Sequence, residues 1–338
     1  MGVVAKIIVL VLIGGLALLL NLLLGSVSVS LETIFDLLLG NEVKKSDEAV
    51  ILLFRMPKIL AASIAGASLG VSGLLMQTFF RNPIAGPFVL GISSGASLGV
   101  ALFILAGGWL FSFPFFAWLL NNNAGIIVMA MLGASSVLVL LMLVSWRIRD
   151  INTLLIIGLM MGSATSAIVA FLQYFSSQQA LQQFVLWSMG SLTGVTWEEL
   201  QWLFPVCTIA LIISFGLSKT LDILLLGDQY ALSMGIHIRR AQQAIILITA
   251  ILAGSITAFC GPIAFVGIAV PHLARMLFQT HRHLILLIGC ILLGVITLLF
   301  CQFIAQLPGS EKMLPINVVT SFLGAPMVIY IILSKRTV

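Results

Sequence analysis

Side chains that could do chemistry are few and scattered in this sequence. Its 338 residues include four histidines, none of them in a ligand cluster, and the sequence contains neither a Gly-Lys dipeptide nor an HExxH motif. It therefore has no phosphate-binding loop of the GxxxxGK[ST] type and no zinc-protease signature. Four cysteines, Cys207, Cys260, Cys290 and Cys301, lie in apolar stretches without CxxC spacing, which is typical of small buried hydrophobes. We therefore predict no catalytic residue and no metal site.

The eleven acidic residues lie in predicted loops or near the ends of apolar runs. An ion-coupled carrier usually keeps an ionisable residue inside its helix bundle, and none is evident here. Sodium coordination by carbonyl groups alone is not excluded, so an ion-coupled secondary transporter remains the alternative from another functional class. A non-transport role, such as an intramembrane enzyme, is disfavoured because there is no catalytic cluster.

The composition predicts that lipid surrounds the elements that carry these residues. Hydrophobic residues make up 61% of the chain and charged residues only 8%, whereas a soluble domain has about 25% charged residues. No basic run exceeds two residues, which argues against a nucleic-acid partner. The expected fold is an all-α polytopic membrane protein, and the whole chain, 1–338, forms one transmembrane domain.

The lengths of uncharged runs predict the number of membrane spans. One span needs about 20 residues. The run Asn82–Trp146, of 65 residues, must hold two spans, with breaks near 107–108 and 121–123. The run Ile151–Trp197, of 47 residues, holds one span and a re-entrant or surface segment, with a break near 176–183. The run of 34 is broken at Gly261–Pro262. These counts give ten spans, with nine or eleven possible. The runs are Ile7–Leu31, Ile59–Phe80, Asn82–Trp146, Ile151–Trp197, Leu200–Ser218, Ala241–Ala274, Leu284–Ser310 and Met313–Ser334.

The positions of Lys and Arg predict that both termini are cytoplasmic. Ten spans with that orientation place eleven of the sixteen basic residues inside and eight of the eleven acids outside, as the positive-inside rule requires. The longest inside loop is then 219–240.

Two Gly- and Pro-rich loops resemble each other. Pro-Ile-Ala occurs at Pro83–Ala85, after the second span, and again at Pro262–Ala264, after the seventh. In the ten-span arrangement the first loop lies on the inner side of the membrane and the second on the outer side. This is expected if an inverted repeat relates spans 2–5 to spans 7–10. Two ordinary loops with a chance tripeptide are an equally good interpretation. Small residues also share helical faces, as at Ala62, Gly66 and Gly70, and predict close helix packing within the chain.

Five segments together resemble one family. They are RMPKILAASIAGASLGVSGLLMQTFFRNPIAGPFVLGISSGASLG from Arg55, WSMGSLTGVTW from Trp187, LGDQYALSMGIHIRRAQ from Leu226, GPIAFVGIAVPHLAR from Gly261 and LPINVVTSFLGAP from Leu314. In this order they are similar to the motifs of the FecCD family, the permease subunits of bacterial ABC importers for iron chelates, haem and cobalamin.

The resemblance implies a homodimer of ten-helix subunits in the bacterial inner membrane. Two ATPase subunits dock inside and an extracytoplasmic substrate-binding protein docks outside. No cofactor is bound directly, because ATP and Mg²⁺ are used by the partner subunits. The implied cargo is an iron chelate, either a siderophore or haem, with cobalamin as the alternative. Since these permeases share their motifs, the sequence does not distinguish among the cargoes.

The resemblance also implies that the segment Leu226–Ile236 couples the chain to its ATPase. Leu226, Tyr230, Ala231 and Met234 could form one apolar helical face that fits a groove on a partner. The alternative is a helix lying on the membrane surface. The complete set of predicted coupling residues is Leu226, Gly227, Asp228, Tyr230, Ala231, Met234 and Gly235.

Three outer cations are the predicted contacts for the binding protein. The resemblance implies that Arg55 and Lys58, at the start of the second span, meet acidic residues of that protein; snorkelling to the membrane interface is the alternative. Near the last span, relatives commonly carry a basic residue that aligns roughly with Gln306, and Lys312 is the predicted substitute.

An inner gate and a set of path-lining side chains are the remaining implied sites. Asn82, Asn152 and Thr153 match positions that close the inner side in relatives, although helix capping explains small polar residues nearly as well. The path should be lined by spans five, eight and ten, and simple packing is the alternative for its candidate residues. The path-lining candidates are Met160, Met161, Gln173, Trp187 and Met189.

Overall fold

A computed structural model describes residues 2–25, 29–106, 124–148, 150–306 and 313–334. These residues form helices and connecting turns, and none of them forms a strand. The all-α prediction is confirmed. Predicted breaks near 107–108 and 121–123 lie outside the described residues. The α-helices are α1 Val3–Leu23, α2 Leu31–Leu39, α3 Lys45–Ala49, α4 Met56–Phe79, α5 Ile92–Leu105, α6 Gly125–Arg147, α7 Ile151–Phe175, α8 Gln178–Ser188, α9 Trp197–Gly216, α10 Ser218–Leu224, α11 Asp228–Ser233, α12 Ile238–Cys260, α13 Val266–Phe278, α14 His283–Gln306 and α15 Ile316–Ser334.

Within the described residues, seven helices are long and apolar enough to cross a membrane: α1, the continuous segment Lys45–Phe79, α6, α7, α9, α12 and α14. Three further apolar helices, α5, α13 and α15, are shorter. The ten spans of the sequence interpretation correspond to these two groups together, and the number of true crossings stays a prediction. Two breaks are confirmed, because α12 ends at Cys260, next to Gly261–Pro262, and α7 ends just before Ser176.

The second span differs from its prediction at its beginning. The sequence places its start at Ile59, but the helix runs without interruption from Lys45 through the π-helical segment Val50–Arg55 into α4. Arg55 and Lys58 therefore lie inside a helix rather than at its start, and both side chains are only 6% exposed. Counting uncharged runs treats every charge as a boundary, whereas here the rest of the protein covers both cations.

Glycine contacts bring α4 and α14 close together at the centre of the bundle. A Cβ atom added at Gly66 would overlap the carbonyl group of Gly294, and one added at Gly294 would overlap the carbonyl group of Gly66. A third residue of the same face, Gly70, lies against the carbonyl oxygen of Cys290. The prediction that these small residues serve packing within the chain is confirmed.

Polar contacts define the two ends of the bundle. At one end, Lys6 Nζ donates to the carbonyl oxygen of Leu277 at 2.7 Å, and Arg81 pairs with Asp228. We call this the α11 end. At the other end, which we call the Lys58 end, Trp197 Nε1 donates to the carbonyl oxygen of Leu52 at 2.8 Å. The N-terminus of α1 thus lies at the same end as the segment 219–240, as predicted. The assignment of that end to the cytoplasm stays a prediction.

Candidate functional site

The segment Leu226–Ile236 presents an exposed apolar surface at the α11 end. Gly227 adopts φ +110° and ψ 156°, a conformation open to glycine, so the chain turns sharply between α10 and α11. Leu226 is 64% exposed, Tyr230 50% and Met234 57%. Leu225 and Leu232 are exposed as well, although the sequence interpretation did not include them. We call these five residues the apolar patch.

Ala231 and Asp228, two of the predicted coupling residues, do not belong to the apolar patch. Ala231 is fully buried, so its prediction as part of the exposed face is wrong. The physical reason is packing: Ala231 belongs to the main hydrophobic core, so its side of α11 faces the bundle, whereas Tyr230 and Met234 are exposed. Asp228 pairs with Arg81 and thereby ties α11 to the loop after α4. Gly235, at φ +79°, closes the turn, and the next residue's N–H donates to the carbonyl oxygen of Ala231 at 3.0 Å.

The predicted gate residues make local hydrogen bonds. Asn82 Oδ1 accepts from the N–H of Ile84 at 3.0 Å and fixes the turn after α4. Asp150, not Asn152, caps α7: its Oδ2 accepts from the N–H and the Oγ1 of Thr153 at 2.8 and 2.6 Å. The side chain of Asn152 lies outside the described atoms. Helix capping thus accounts for the Thr153 contacts. The role of Asn82, Asn152 and Thr153 in an inner gate stays a prediction.

The predicted docking cations have protein neighbours at the Lys58 end. Arg55 donates to the carbonyl oxygen of Leu22, at the end of α1. Lys58 Nζ contacts Met313 Sδ at 3.9 Å and borders a cavity of about 260 Å³. Lys312 lies outside the described residues. The docking role of all three cations stays a prediction.

Two buried glutamines are among the other residues that line this cavity. Gln302 is 2% exposed and Gln306 is 6% exposed, both on α14. Three of their amide atoms have no hydrogen-bond partner among the described residues: Nε2 and Oε1 of Gln302, and Oε1 of Gln306. A buried amide without a partner costs about 1–3 kcal/mol. The cavity therefore combines one cation with unused polar groups, which suits an anionic or polar side chain supplied from outside.

The path-lining candidates separate into two groups. Met161 and Trp187 are half-buried and pack against the hydrophobic core, so packing explains them. Met160 is 60% exposed on α7, in a row with Ile156 and Phe171, and Met189 is 36% exposed. Gln173 is half-buried on the same helix. Because α7 carries no charged residue, its exposed face is suited either to line an uncharged translocation path or to pack against a helix of another subunit. A path role for Met160, Gln173 and Met189 stays a prediction.

Hydrogen bonds join three of the family-like segments near the Lys58 end: those that begin at Trp187, Gly261 and Leu314. Ser191 N–H donates to the carbonyl oxygen of Cys260 at 2.8 Å, and Ala264 N–H donates to Asn317 Oδ1 at 3.0 Å. Asn317 N–H donates in turn to the carbonyl oxygen of Met189 at 3.2 Å. Sequence reasoning did not assign Asn317 this part.

Comparison with known proteins identifies the relatives of this arrangement. The model of the FecCD transport family matches residues 10–334. The hemin transport system permease protein HmuU of Yersinia pestis is 35% identical over 319 residues, which cover 93% of this chain and 90% of that protein. The vitamin B12 import system permease protein BtuC of Vibrio cholerae is 34% identical over 292 residues, 86% and 84% of the two chains.

A solved structure is similar over nearly the whole length. It is described as an inward-facing conformation of a metal-chelate type ABC transporter. Its TM-score to this chain is 0.84, with 28% sequence identity, and the alignment covers 97% of this chain and 98% of the other.

Proposed function

Because the chain belongs to the FecCD transport family, we propose that it is the permease subunit of an ATP-driven importer. Two copies form the translocation path in the bacterial inner membrane. Two ATPase subunits bind the α11 end, and a substrate-binding protein delivers cargo to the Lys58 end. ATP and Mg²⁺ are bound by the ATPase subunits, because this sequence has no phosphate-binding loop.

The apolar patch is the observation that carries this proposal. Leu226, Tyr230 and Met234 are each at least half exposed at the end of the bundle where Arg81 and Asp228 also lie. Exposed large apolar side chains in a protruding turn are typical of a partner interface. A helix lying on the membrane surface would expose a similar face, but it would not need the sharp Gly227 turn and the Arg81–Asp228 pair to orient it.

We propose that the cargo is a large metal chelate, a ferric siderophore or haem, with cobalamin as the alternative. Two relatives carry hemin and vitamin B12 in their names, and the similar structure is of the metal-chelate type. The exposed face of α7 fits such cargo, because it combines Met160 with aromatic residues and carries no charge. Apolar and aromatic surfaces of this kind suit a bulky ring system.

Uptake by cells that lack only this chain tests the proposed function. We expect deletion to abolish uptake of one labelled cargo among haem, cobalamin and a ferric siderophore, and a plasmid copy to restore it. Binding of the same three compounds to the cognate extracytoplasmic protein should select the same cargo. Unchanged uptake of all three in the deletion strain would contradict the cargo class.

We also propose that the cavity beside Lys58 receives a carboxylate of the substrate-binding protein. The ammonium group of Lys58 and the unpartnered Nε2 of Gln302 are the donors that such a group requires. A hydrogen bond to a charged group contributes about 1.5–3 kcal/mol. Lys58 remains covered from solvent until its partner arrives, which makes the site selective for a side chain that can enter it.

Replacing Lys58 with glutamine is therefore expected to raise the Kd of the substrate-binding protein about tenfold or more. The Kd of the substrate-binding protein should be measured with the permease in nanodiscs, where the cavity is intact. Lys44→Gln is the matched control, because Lys44 belongs to the same outer segment but is exposed. Equal weakening by both substitutions would show that only the overall charge of this surface matters.

A further inference from the structure

A buried histidine connects α10, the helix that precedes the segment Leu226–Ile236, to α4. His283 begins α14 and is 1% exposed. Its Nδ1 lies 2.7 Å from Asp222 Oδ1, and its N–H donates to the same oxygen at 2.8 Å. Its Nε2 lies 2.8 Å from Thr78 Oγ1, in the last turn of α4. Both ring nitrogens are therefore used, and the imidazole is fixed between two helices.

Asp222 lies in α10, directly before the apolar patch. Its side chain is 41% exposed, so its carboxylate reaches inward from the surface of the α11 end to the buried imidazole. One α-helical turn and the Gly227 turn separate it from Asp228, which pairs with Arg81. The α10–α11 unit is thus attached to the end of α4 at two points, Asp222 through His283 and Asp228 through Arg81.

The end of α4 makes a third polar connection. Gln77 Nε2 donates to the carbonyl oxygen of Ile268 in α13 at 3.1 Å, and Arg275 donates to Gln77 Oε1. Gln77, Thr78 and Arg81 therefore bind three different elements. At its opposite end α4 carries Lys58, which borders the docking cavity. Because glycine contacts pack α4 tightly against its neighbours, displacement of one end is passed along the helix.

We propose that His283 is a positioning residue that transmits movement of the α10–α11 unit to α4. The Asp222–His283–Thr78 contacts make the apolar patch and α4 move together, so that a change in the ATPase alters the Lys58 end. This inference rests on the proposed function, since it assumes that an ATPase binds the patch. The proposal involves no covalent step. Hydrogen bonds alone hold α10 in a fixed position relative to the end of α4.

The test separates transmission from folding. The full complex, in nanodiscs for ATPase activity and in proteoliposomes for transport, is assayed for basal ATP hydrolysis, stimulation by the loaded binding protein, and cargo moved per ATP. Thr78→Val removes the hydroxyl without changing the volume much. We expect basal hydrolysis within twofold of the unmodified complex, and at least a fivefold loss in cargo per ATP. Thr78→Ser should restore coupling, because it restores the hydroxyl.

Thr249→Val is the matched control, because Thr249 is equally buried and its Oγ1 has no hydrogen-bond partner among the described residues. It should leave cargo per ATP unchanged. Asp222→Ala removes the acceptor for both His283 contacts at a partly exposed side chain, so folding is less at risk, and it should uncouple in the same way.

Unchanged cargo per ATP in both Thr78→Val and Asp222→Ala would overturn the inference. So would a joint fall of basal hydrolysis, transport and melting temperature that Thr78→Ser fails to restore, since that result indicates a structural role alone. Failure of the proposed function would be distinguishable, because the unmodified chain would then neither bind an ATPase nor show ATP-driven uptake.

Discussion

Replacement of Leu226 by aspartate is expected to abolish ATP-driven uptake by releasing the ATPase subunits. The side chain is 64% exposed, so the substitution should not disturb folding. In the assembled importer it would place a carboxylate in an apolar groove of the partner. A hot-spot residue at the centre of an interface contributes about 2 kcal/mol or more, which corresponds to roughly 30-fold in affinity. The measurement is the amount of ATPase subunit that copurifies with the tagged permease, together with its Kd.

Two further variants make this result specific. Leu226→Ala removes apolar area without adding a charge and should weaken binding less than the aspartate. Gln229→Glu adds a charge at an exposed polar position of the same short helix and should change binding little. If Leu226→Asp bound the ATPase normally, the apolar patch would be a membrane-surface segment, and the site proposed for coupling would be wrong.

Replacement of Gly66 by leucine is expected to prevent folding. An added Cβ atom would overlap the carbonyl group of Gly294, and backbone against backbone cannot relax by changing a rotamer. Overpacking a core costs about 1–3 kcal/mol when side chains can adjust, so a cost of at least ~3 kcal/mol is expected here. The measurement is the yield of monodisperse protein in detergent and its melting temperature.

Gly15→Leu is the control for this substitution. Gly15 lies in α1, where an added Cβ would have no atom within 4 Å. The same change of residue should therefore leave yield and melting temperature close to those of the unmodified chain. A folded, stable Gly66→Leu variant would contradict the close contact between α4 and α14.

The sequence predicted those parts of the fold that depend on local composition. Run lengths located the long apolar helices, and the Gly261–Pro262 pair marked the end of α12, because proline and glycine interrupt helices wherever they occur in such a pattern. Motif resemblance located the segment Leu226–Ile236. The exposure of Tyr230 and Met234 followed from their spacing in a short helix.

Features set by tertiary contacts were not predictable in this way. The burial of Lys58 depends on α14 and on the segment at Met313, which are distant in sequence. The burial of Ala231 depends on how α11 packs against the core. Capping by Asp150 instead of Asn152 follows because α7 begins at Ile151, two residues earlier than a cap at Asn152 would require. The His283 contacts join residues 61 and 205 positions apart, and no local pattern indicates them.

Uptake in reconstituted vesicles distinguishes an ATP-driven importer from an ion-coupled carrier. Proteoliposomes are prepared with this chain alone or with its ATPase subunits, and the loaded binding protein is supplied on the side of the Lys58 end. We expect cargo to accumulate only when the ATPase subunits and ATP are both present on the opposite side, and we expect no effect of sodium or proton gradients. Accumulation driven by an ion gradient, in vesicles that contain this chain alone, would contradict this expectation.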